Sequence, residues 1–334
     1  MPEIRLNPLT GEWVLIATER ARRPEGFVER AEQKVSPSWS PECPFCPGNE
    51  EKTPGETYRL GDHTGWQVRV VPNKFPALST QGELHRRIDG LRSTLSGVGI
   101  HEVIIETPQH DLTTALLPRK QVCRILQASL DRYRTIYQDP RVQQVILFKN
   151  HGRRAGTSLE HPHSQIVGTP VVSSQVRFRY ERALRYMDET GECLVCRVLK
   201  EELDEGARIV AENSGYVAFV PHAALSPFHL WIFPRHHRSS FGSIADAEID
   251  PLAQIVHLIL AKLYYGLHNP DYNYVVRSLL GMDSKREYFH WYLSVIPSVS
   301  EAGGFELGSG MFINTALPEE SAKFLRETKI PANN

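Results

Sequence analysis

The chain has no surplus charge of either sign: 38 Lys and Arg stand against 39 Asp and Glu in 334 residues. Without a net positive field it does not gather nucleic acid or an anionic membrane by bulk electrostatics, so neither is an expected partner. No stretch approaches the roughly 18 uninterrupted apolar residues of a membrane span. The opening Met1-Pro2-Glu3-Ile4-Arg5 lacks the basic, apolar and small-residue order of a secretory leader, which makes the cytoplasm the expected compartment. Cysteine is scarce as well. Five of them, an odd number without a leader, do not make a disulfide scaffold. What remains is a composition with 41% apolar residues, suited to a globular protein with one large core or two ordinary ones.

Four of the five cysteines form two pairs, Cys43-Pro44-Phe45-Cys46 and Cys193-Leu194-Val195-Cys196. Two intervening residues let the sulfurs converge on one cation, and zinc completes a tetrahedron readily with histidines. A redox dithiol is expected at the start of a helix, whereas the first pair follows a loop rich in proline and serine and precedes Pro47-Gly48. The expected ligand sets are Cys43, Cys46, His110 and His161, and Cys193, Cys196, His237 and His290. His101 is an alternative to His110 and His236 to His237, while His229 on an apolar strand reads as a core residue. Four protein ligands leave no position for an activated water, so both zincs are expected to be structural. Cys123, in an apolar helical pattern, reads as a buried helix residue.

The rhythm of the chain repeats. Strands are expected at 13–17, 66–71, 101–106, 142–148 and 164–169, with a helix within 112–137. They are expected again at 216–220, 228–233, 273–277 and 290–296, with a helix at 248–266. In each half a Cys-x-x-Cys pair precedes a strand ending in Val-Pro, then a strand leading to a histidine, then the helix, then His161 or His290. Two copies of one α+β unit, 1–175 and 176–334, account for this order.

The chemistry concentrates in His161-Pro162-His163-Ser164-Gln165. In extended chain His161 and His163 point to the same side, and Pro162 stiffens the segment between them. With His161 tied to zinc, His163 is held beside a fixed anchor, as displacement at phosphorus requires. A neutral imidazole attacks phosphorus well at neutral pH, and its other ring nitrogen is expected to donate to a backbone carbonyl. Gln165 offers an amide donor for a phosphoryl oxygen without acting as a base for water. The preceding segment, from Phe148 through Asn150 to Ser158, supplies glycines, amides, hydroxyls and two arginines suited to phosphate. The second half reads His290-Trp291-Tyr292 in the corresponding place, retaining the ligand and lacking the nucleophile.

Together with Asn7-Pro8-Leu9-Thr10-Gly11-Glu12-Trp13, Arg20-Ala21-Arg22-Arg23-Pro24 and Asn73-Lys74-Phe75-Pro76-Ala77-Leu78, these motifs resemble the galactose-1-phosphate uridylyltransferase family over nearly the whole chain. The resemblance implies two fused histidine-triad-type domains, each a mainly antiparallel sheet with packed helices, in a homodimer. It implies double displacement, in which UDP-glucose gives UMP to His163 and galactose 1-phosphate then accepts it. It further implies that Gln165 and Ser158 contact the transferred phosphoryl group, and that Asn150, Arg20 and Arg23 bind phosphate. Asn73 and Phe75 match nucleotide-binding positions, and Glu306, in Gly303-Gly304-Phe305-Glu306, matches a hexose contact. Two zincs also occur in relatives that act on ADP-glucose with phosphate or sulfate as partner, which is the alternative reading. A nucleotide hydrolase and a zinc-stabilised binding protein without chemistry are the remaining ones.

Overall fold

Segments such as Val145-Ile146-Leu147-Phe148 and Val103-Ile104-Ile105 enter a sheet because branched and aromatic side chains pack well on a pleated surface. The computed structural model describes residues 2–17, 36–63, 65–279, 286–300 and 303–332. In the first half lie β1 (Glu3–Leu6), β2 (Trp13–Ile16), β3 (Tyr58–Asp62), β4 (Gly65–Pro72), β5 (Arg86–Asp89), β6 (Arg92–Leu95), β7 (Ile100–Ile105), α1 (Arg119–Ile136), β8 (Gln144–His151) and β9 (His163–Thr169). The second half contains α2 (Ser174–Thr190), α3 (Leu194–Glu205), β10 (Ile209–Glu212), β11 (Tyr216–Phe219), β12 (Leu230–Pro234), α4 (Asp246–Leu267), β13 (Tyr272–Arg277), β14 (Tyr292–Pro297), α5 (Gly304–Ser309), β15 (Phe312–Asn314) and α6 (Pro318–Glu327). Among the described residues no helix is long and apolar enough to cross a membrane.

Ten strands form one antiparallel sheet in the order β10-β11-β12-β14-β13-β8-β9-β7-β4-β3. The order is symmetric about the central β8–β13 pair, so that β9 stands where β14 does, β7 where β12 does, and so outward. The boundary expected at 175/176 falls in the first turn of α2, where the sequence shows no clear helical pattern. Also beyond that pattern is a small sheet of order β1-β2-β15, which ties the first strands to the last one.

One face of the large sheet packs against α1 and α4, through Val122, Ile125 and Leu130 on the first helix and Leu252, Val256 and Ile259 on the second. Cys123, expected to be buried, packs at the edge of this layer. It is only partly covered, and its thiol donates to Asp250 Oδ1 at 3.5 Å, because the helix already presents Val122 and Ile125 to the sheet. Among the described residues the other face is covered only at its ends. Over the first half sits the Cys43–Cys46 knuckle, packed on Val71, Val103 and Ile105. Over the second half α2 and α3 press Ala183, Leu194, Val195 and Leu199 onto Val217, Phe219, Trp231, Phe233 and Tyr292. Between them the strands carry Phe148, Asn150, Gln165 and Asn273, all partly exposed.

Candidate active site and metal centres

Cys43, Cys46, His110 and His161 bring four ligand atoms within 4.8 Å of one another, and all four residues are buried. Cys46 Sγ lies 3.4 Å from His110 Nδ1 and 3.7 Å from His161 Nδ1, and Cys43 Sγ lies 3.6 Å from His161 Nδ1. Behind the cluster, His161 Nε2 donates to the Thr107 carbonyl at 2.7 Å, which turns Nδ1 and its lone pair toward the sulfurs. Two thiols, two imidazoles and a fixed tautomer could hold a metal ion that takes sulfur and nitrogen in a tetrahedron. An ion there would clamp the knuckle to the turn after β7 and to the segment before β9.

The second cluster contains Cys193, Cys196 and His237, again within 4.8 Å of one another. His290 adds Nδ1 at 3.4 Å from Cys196 Sγ, beside His237 Nδ1 at 3.2 Å. This donor set also fits a metal. Its Cys-x-x-Cys pair, unlike the first, does begin a helix: Cys193 caps α3 and Cys196 lies in the first turn. Hydrogen bonding from Cys196, with further support from His237, outweighs burial and favours the Cys193 thiolate. The three alternative histidines separate by position. His236 is exposed, His229 is a buried residue whose Nε2 meets Ser294 Oγ at 2.8 Å, and His101 lies away from the cysteines beside Asn73 and Gln165.

His163 opens β9 opposite Ile105 and is 7% exposed. Its Nδ1 donates to the His161 carbonyl at 2.9 Å, leaving the Nε2 lone pair available. Burial holds the imidazole below the ordinary histidine range, a tendency partly offset by that hydrogen bond, so the ring is neutral at pH 7. Phe45 from the knuckle stands edge-on against both rings, with centroids 6.0 Å from His161 and 5.5 Å from His163. The knuckle thus orients His163 both through the chain and by direct packing.

Beneath this strand, on the helix-covered face, Lys149 and Glu106 form a buried ion pair at 2.6 Å. Lys149 Nζ also donates to the His163 carbonyl at 3.2 Å, and Thr114 Oγ1 donates to Glu106 at 2.8 Å. Burial pushes the Glu106 carboxyl up, but the Lys149 charge and hydrogen bond outweigh it and keep the group ionised. Lys149→Met should destabilise the protein by about 3–5 kcal/mol in urea unfolding, because it leaves a buried carboxylate without its cation. Adding Glu106→Leu should recover most of the loss; no recovery would count against the pairing as the cause.

The remaining expected site residues divide by location. Gln165 Oε1 accepts from His101 Nε2 at 2.9 Å, since the Ala77 N–H donates to His101 Nδ1 at 3.2 Å and so places the ring proton on Nε2. That leaves the Gln165 NH2 to point elsewhere. Asn73 packs against His101, and its Oδ1 accepts from the Phe75 amide at 2.9 Å; Phe75 itself is 83% exposed, an apolar ring presented to solvent. Asn150 Oδ1 accepts from Asn273 Nδ2 at 2.8 Å across the central seam. Ser158 is exposed in the loop before His161. That loop turns at Gly152, whose φ is +84° and where a Cβ would lie 1.9 Å from Asp271 Oδ1. Glu306 is not brought to this group; its Oε2 accepts from the Gly303 amide at 2.9 Å at the start of its own helix. Arg20 and Arg23 lie outside the described residues.

His101, as the partner of Gln165, and Asn273 join this group without having been marked for it by the sequence motifs. Asn273 carries a signal nonetheless, because it is the cross-strand neighbour of Asn150 at the symmetric seam of β8 and β13. The second half offers no equivalent of the His163 ring. Tyr292 opens β14 as His163 opens β9, but it is packed among Trp231, Phe233, α2 and α3 and is 2% exposed.

Comparison with known proteins agrees with the arrangement. Residues 1–173 match the family model for the N-terminal domain of galactose-1-phosphate uridyl transferase. An ADP-glucose phosphorylase of Arabidopsis thaliana is 35% identical, covering 98% of this chain and 93% of the relative. A galactose-1-phosphate uridylyltransferase of Thermotoga maritima is 28% identical, covering 99% of each. Among solved structures, an Arabidopsis thaliana ADP-glucose phosphorylase with bound ADP-glucose superposes with a TM-score of 0.83 at 32% identity, covering 99% of this chain and 100% of the other. A uridylyltransferase structure gives 0.76 at 30%, covering 98% of each. With the motif order, the symmetric ten-stranded sheet and these full-length similarities in agreement, the chain belongs to the galactose-1-phosphate uridyl transferase family of nucleotidyltransferases.

Proposed function

We propose that this chain moves a nucleoside monophosphate from a nucleotide sugar to a phosphate-bearing acceptor by way of His163, with ADP-glucose as the favoured donor and inorganic phosphate as the acceptor. The observation that carries the transfer is the His163 ring: Nδ1–H is engaged by a carbonyl, and Nε2 stands neutral on a strand that also presents Gln165 to the open part of the sheet. The Nε2 lone pair forms an N–P bond at the α-phosphorus as the P–O bond to glucose 1-phosphate breaks. The positive charge that develops on the ring is stabilised through Nδ1–H by the His161 carbonyl. A phosphate oxygen then attacks phosphorus from the vacated side, the N–P bond breaks, and the ring returns to neutral with release of ADP. Gln165, oriented by His101, directs its NH2 toward a phosphoryl oxygen, and exposed Phe75 offers a face for the base. Zinc in each cysteine and histidine cluster is part of the same reading; it supplies rigidity and leaves the displacement to the imidazole.

The residue motifs point to UDP-glucose and galactose 1-phosphate. Preference for adenylyl transfer rests on the higher identity and TM-score of the ADP-glucose phosphorylase. Uridylyl transfer is the second reading, favoured by the family model and the Thermotoga maritima relative. Incubation with ADP-glucose or UDP-glucose carrying label in the α-phosphate separates them. The expected result is faster labelling of the protein from ADP-glucose and discharge of the label by inorganic phosphate; discharge by galactose 1-phosphate alone would select the uridylyl reading. Release of label to water at the same rate without an acceptor would refute both.

His101→Leu should slow labelling of His163 by roughly tenfold through loss of one oriented hydrogen bond. Single-turnover labelling checks this, and a Gln165→Ala background should remove the effect, since no amide is then left to orient.

A further inference from the structure

A cleft of about 310 Å³ opens on the site face of the sheet, where β8 meets β13 and the first turn of α2 lies alongside. Arg179 and Arg277 both line it. Arg179 is 7% exposed, yet among the described residues neither its Nε nor its Nη1 has a hydrogen-bond partner. Arg277 donates from Nη1 to Gln175 Oε1 at 3.3 Å, and among the described residues no carboxylate lies within ion-pair distance of either guanidinium. Arginine is almost never so deeply placed without an anion beside it, and orphaned interior N–H groups call for a missing partner.

Two further features narrow the chemistry of that partner. Burial, and then the charge of Arg179, push the Arg277 guanidinium down to about 10, and the opposing pull of Tyr292 and Glu12 is weaker than that push. Glu12 lines the adjoining groove with Arg179 and its Oε2 also lacks a partner among the described residues, but it makes no ion pair with either guanidinium, so the positive charge gathered here is only partly compensated. The cleft also contains Ser173, Gln175 and Val176 from the start of α2, a helix of 17 residues whose positive dipole end favours an anion. Planar forks beside a helix N-terminus match tetrahedral oxyanions, which accept several N–H donors at once.

We propose that Arg179, Arg277 and the first turn of α2 bind a phosphate-type oxyanion. Phe148 and Asn150 line the same cleft, and Phe148 is the cross-strand partner of Gln165, so the oxyanion sits one strand away from the residues assigned to transfer. Free phosphate and the phosphate group of a sugar phosphate both have this chemistry. The assignment stands on the cleft alone and does not require His163 to be a nucleophile.

Calorimetric titration of the nucleotide-free protein with inorganic phosphate, and separately with glucose 1-phosphate, tests it. At least one of the two should bind, and the tighter one identifies the source. Arg179→Met and Arg277→Lys should each weaken that binding by at least about tenfold, the second variant retaining charge while losing the planar fork. Where Arg179→Met does not fold, Arg277→Lys and Arg277→Gln carry the comparison, each first checked by its thermal unfolding midpoint. Absence of binding by both anions to the unaltered protein, or unchanged affinity in the folded variants, overturns the assignment.

Discussion

His163→Ala is expected to lose at least about 10⁴-fold in turnover and to form no acid-labile nucleotidyl adduct. The size of the effect follows from the route. Without the imidazole the two displacements cannot be divided at a covalent intermediate, and the acceptor would have to attack the donor directly in a site shaped for two successive occupants. Because His163 lies at the edge of the open face and touches the cysteine knuckle through Phe45, alanine there should leave the fold and the metal content intact. Rapid-quench labelling with an α-labelled nucleotide sugar, run beside circular dichroism, reads both. Adduct formation at an undiminished rate in the folded variant would remove His163 from the nucleophile role.

The second large effect is expected from Cys46→Ser. Cys46 is fully buried and its sulfur faces both His110 and His161, so the substitution breaks the first cluster at its centre. On the proposed reading of one zinc in each cluster, metal analysis should show loss of one equivalent and retention of the other at Cys193, Cys196, His237 and His290. Structural zinc contributes on the order of 10 kcal/mol in small metal-dependent modules, comparable with the whole stability of an ordinary domain. Here the knuckle also packs on Val71, Val103 and Ile105, which retains part of the fold, so a loss of several kcal/mol in urea unfolding is expected. Activity should fall as well, since His161 then no longer fixes the carbonyl that orients His163. Cys123→Ser, on the partly exposed side of α1, should change neither metal content nor activity. Loss of both metals from Cys46→Ser alone would show that the clusters are not independent.

Much of the sheet was legible because its strands are short, β-branched and bounded by turn residues; Gly65–Pro72, Ile100–Ile105 and Tyr272–Arg277 fall within a residue or two of expectation. Helices α2 and α3 were not, since α2 is rich in arginine and aromatics and buries only Arg179 and Ala183 of its own length. A helix that covers a ready-made sheet face needs little apolar periodicity of its own. The short β1, β2 and β15 were partly hidden for a related reason: residues at opposite ends of the chain pair there, and no local pattern announces a partner about 300 residues away.

The linear order of residues was enough to determine the chemistry available: two thiol pairs, a histidine two residues beyond another, an amide two further on, and a repeat whose second copy has a tyrosine in the corresponding place. Those properties are local, set by side-chain type and by the two-residue period of extended chain. Tertiary structure decided which of the competing histidines meet the cysteines, which way the His163 and Gln165 side chains are turned, and that Tyr292 is packed under helices while His163 keeps an open neighbour. It also gathered Arg179 and Arg277, about 100 residues apart, around one cleft. Such decisions depend on hydrogen bonds and burial between distant segments, whose energies exist only once the sheet has brought those segments together.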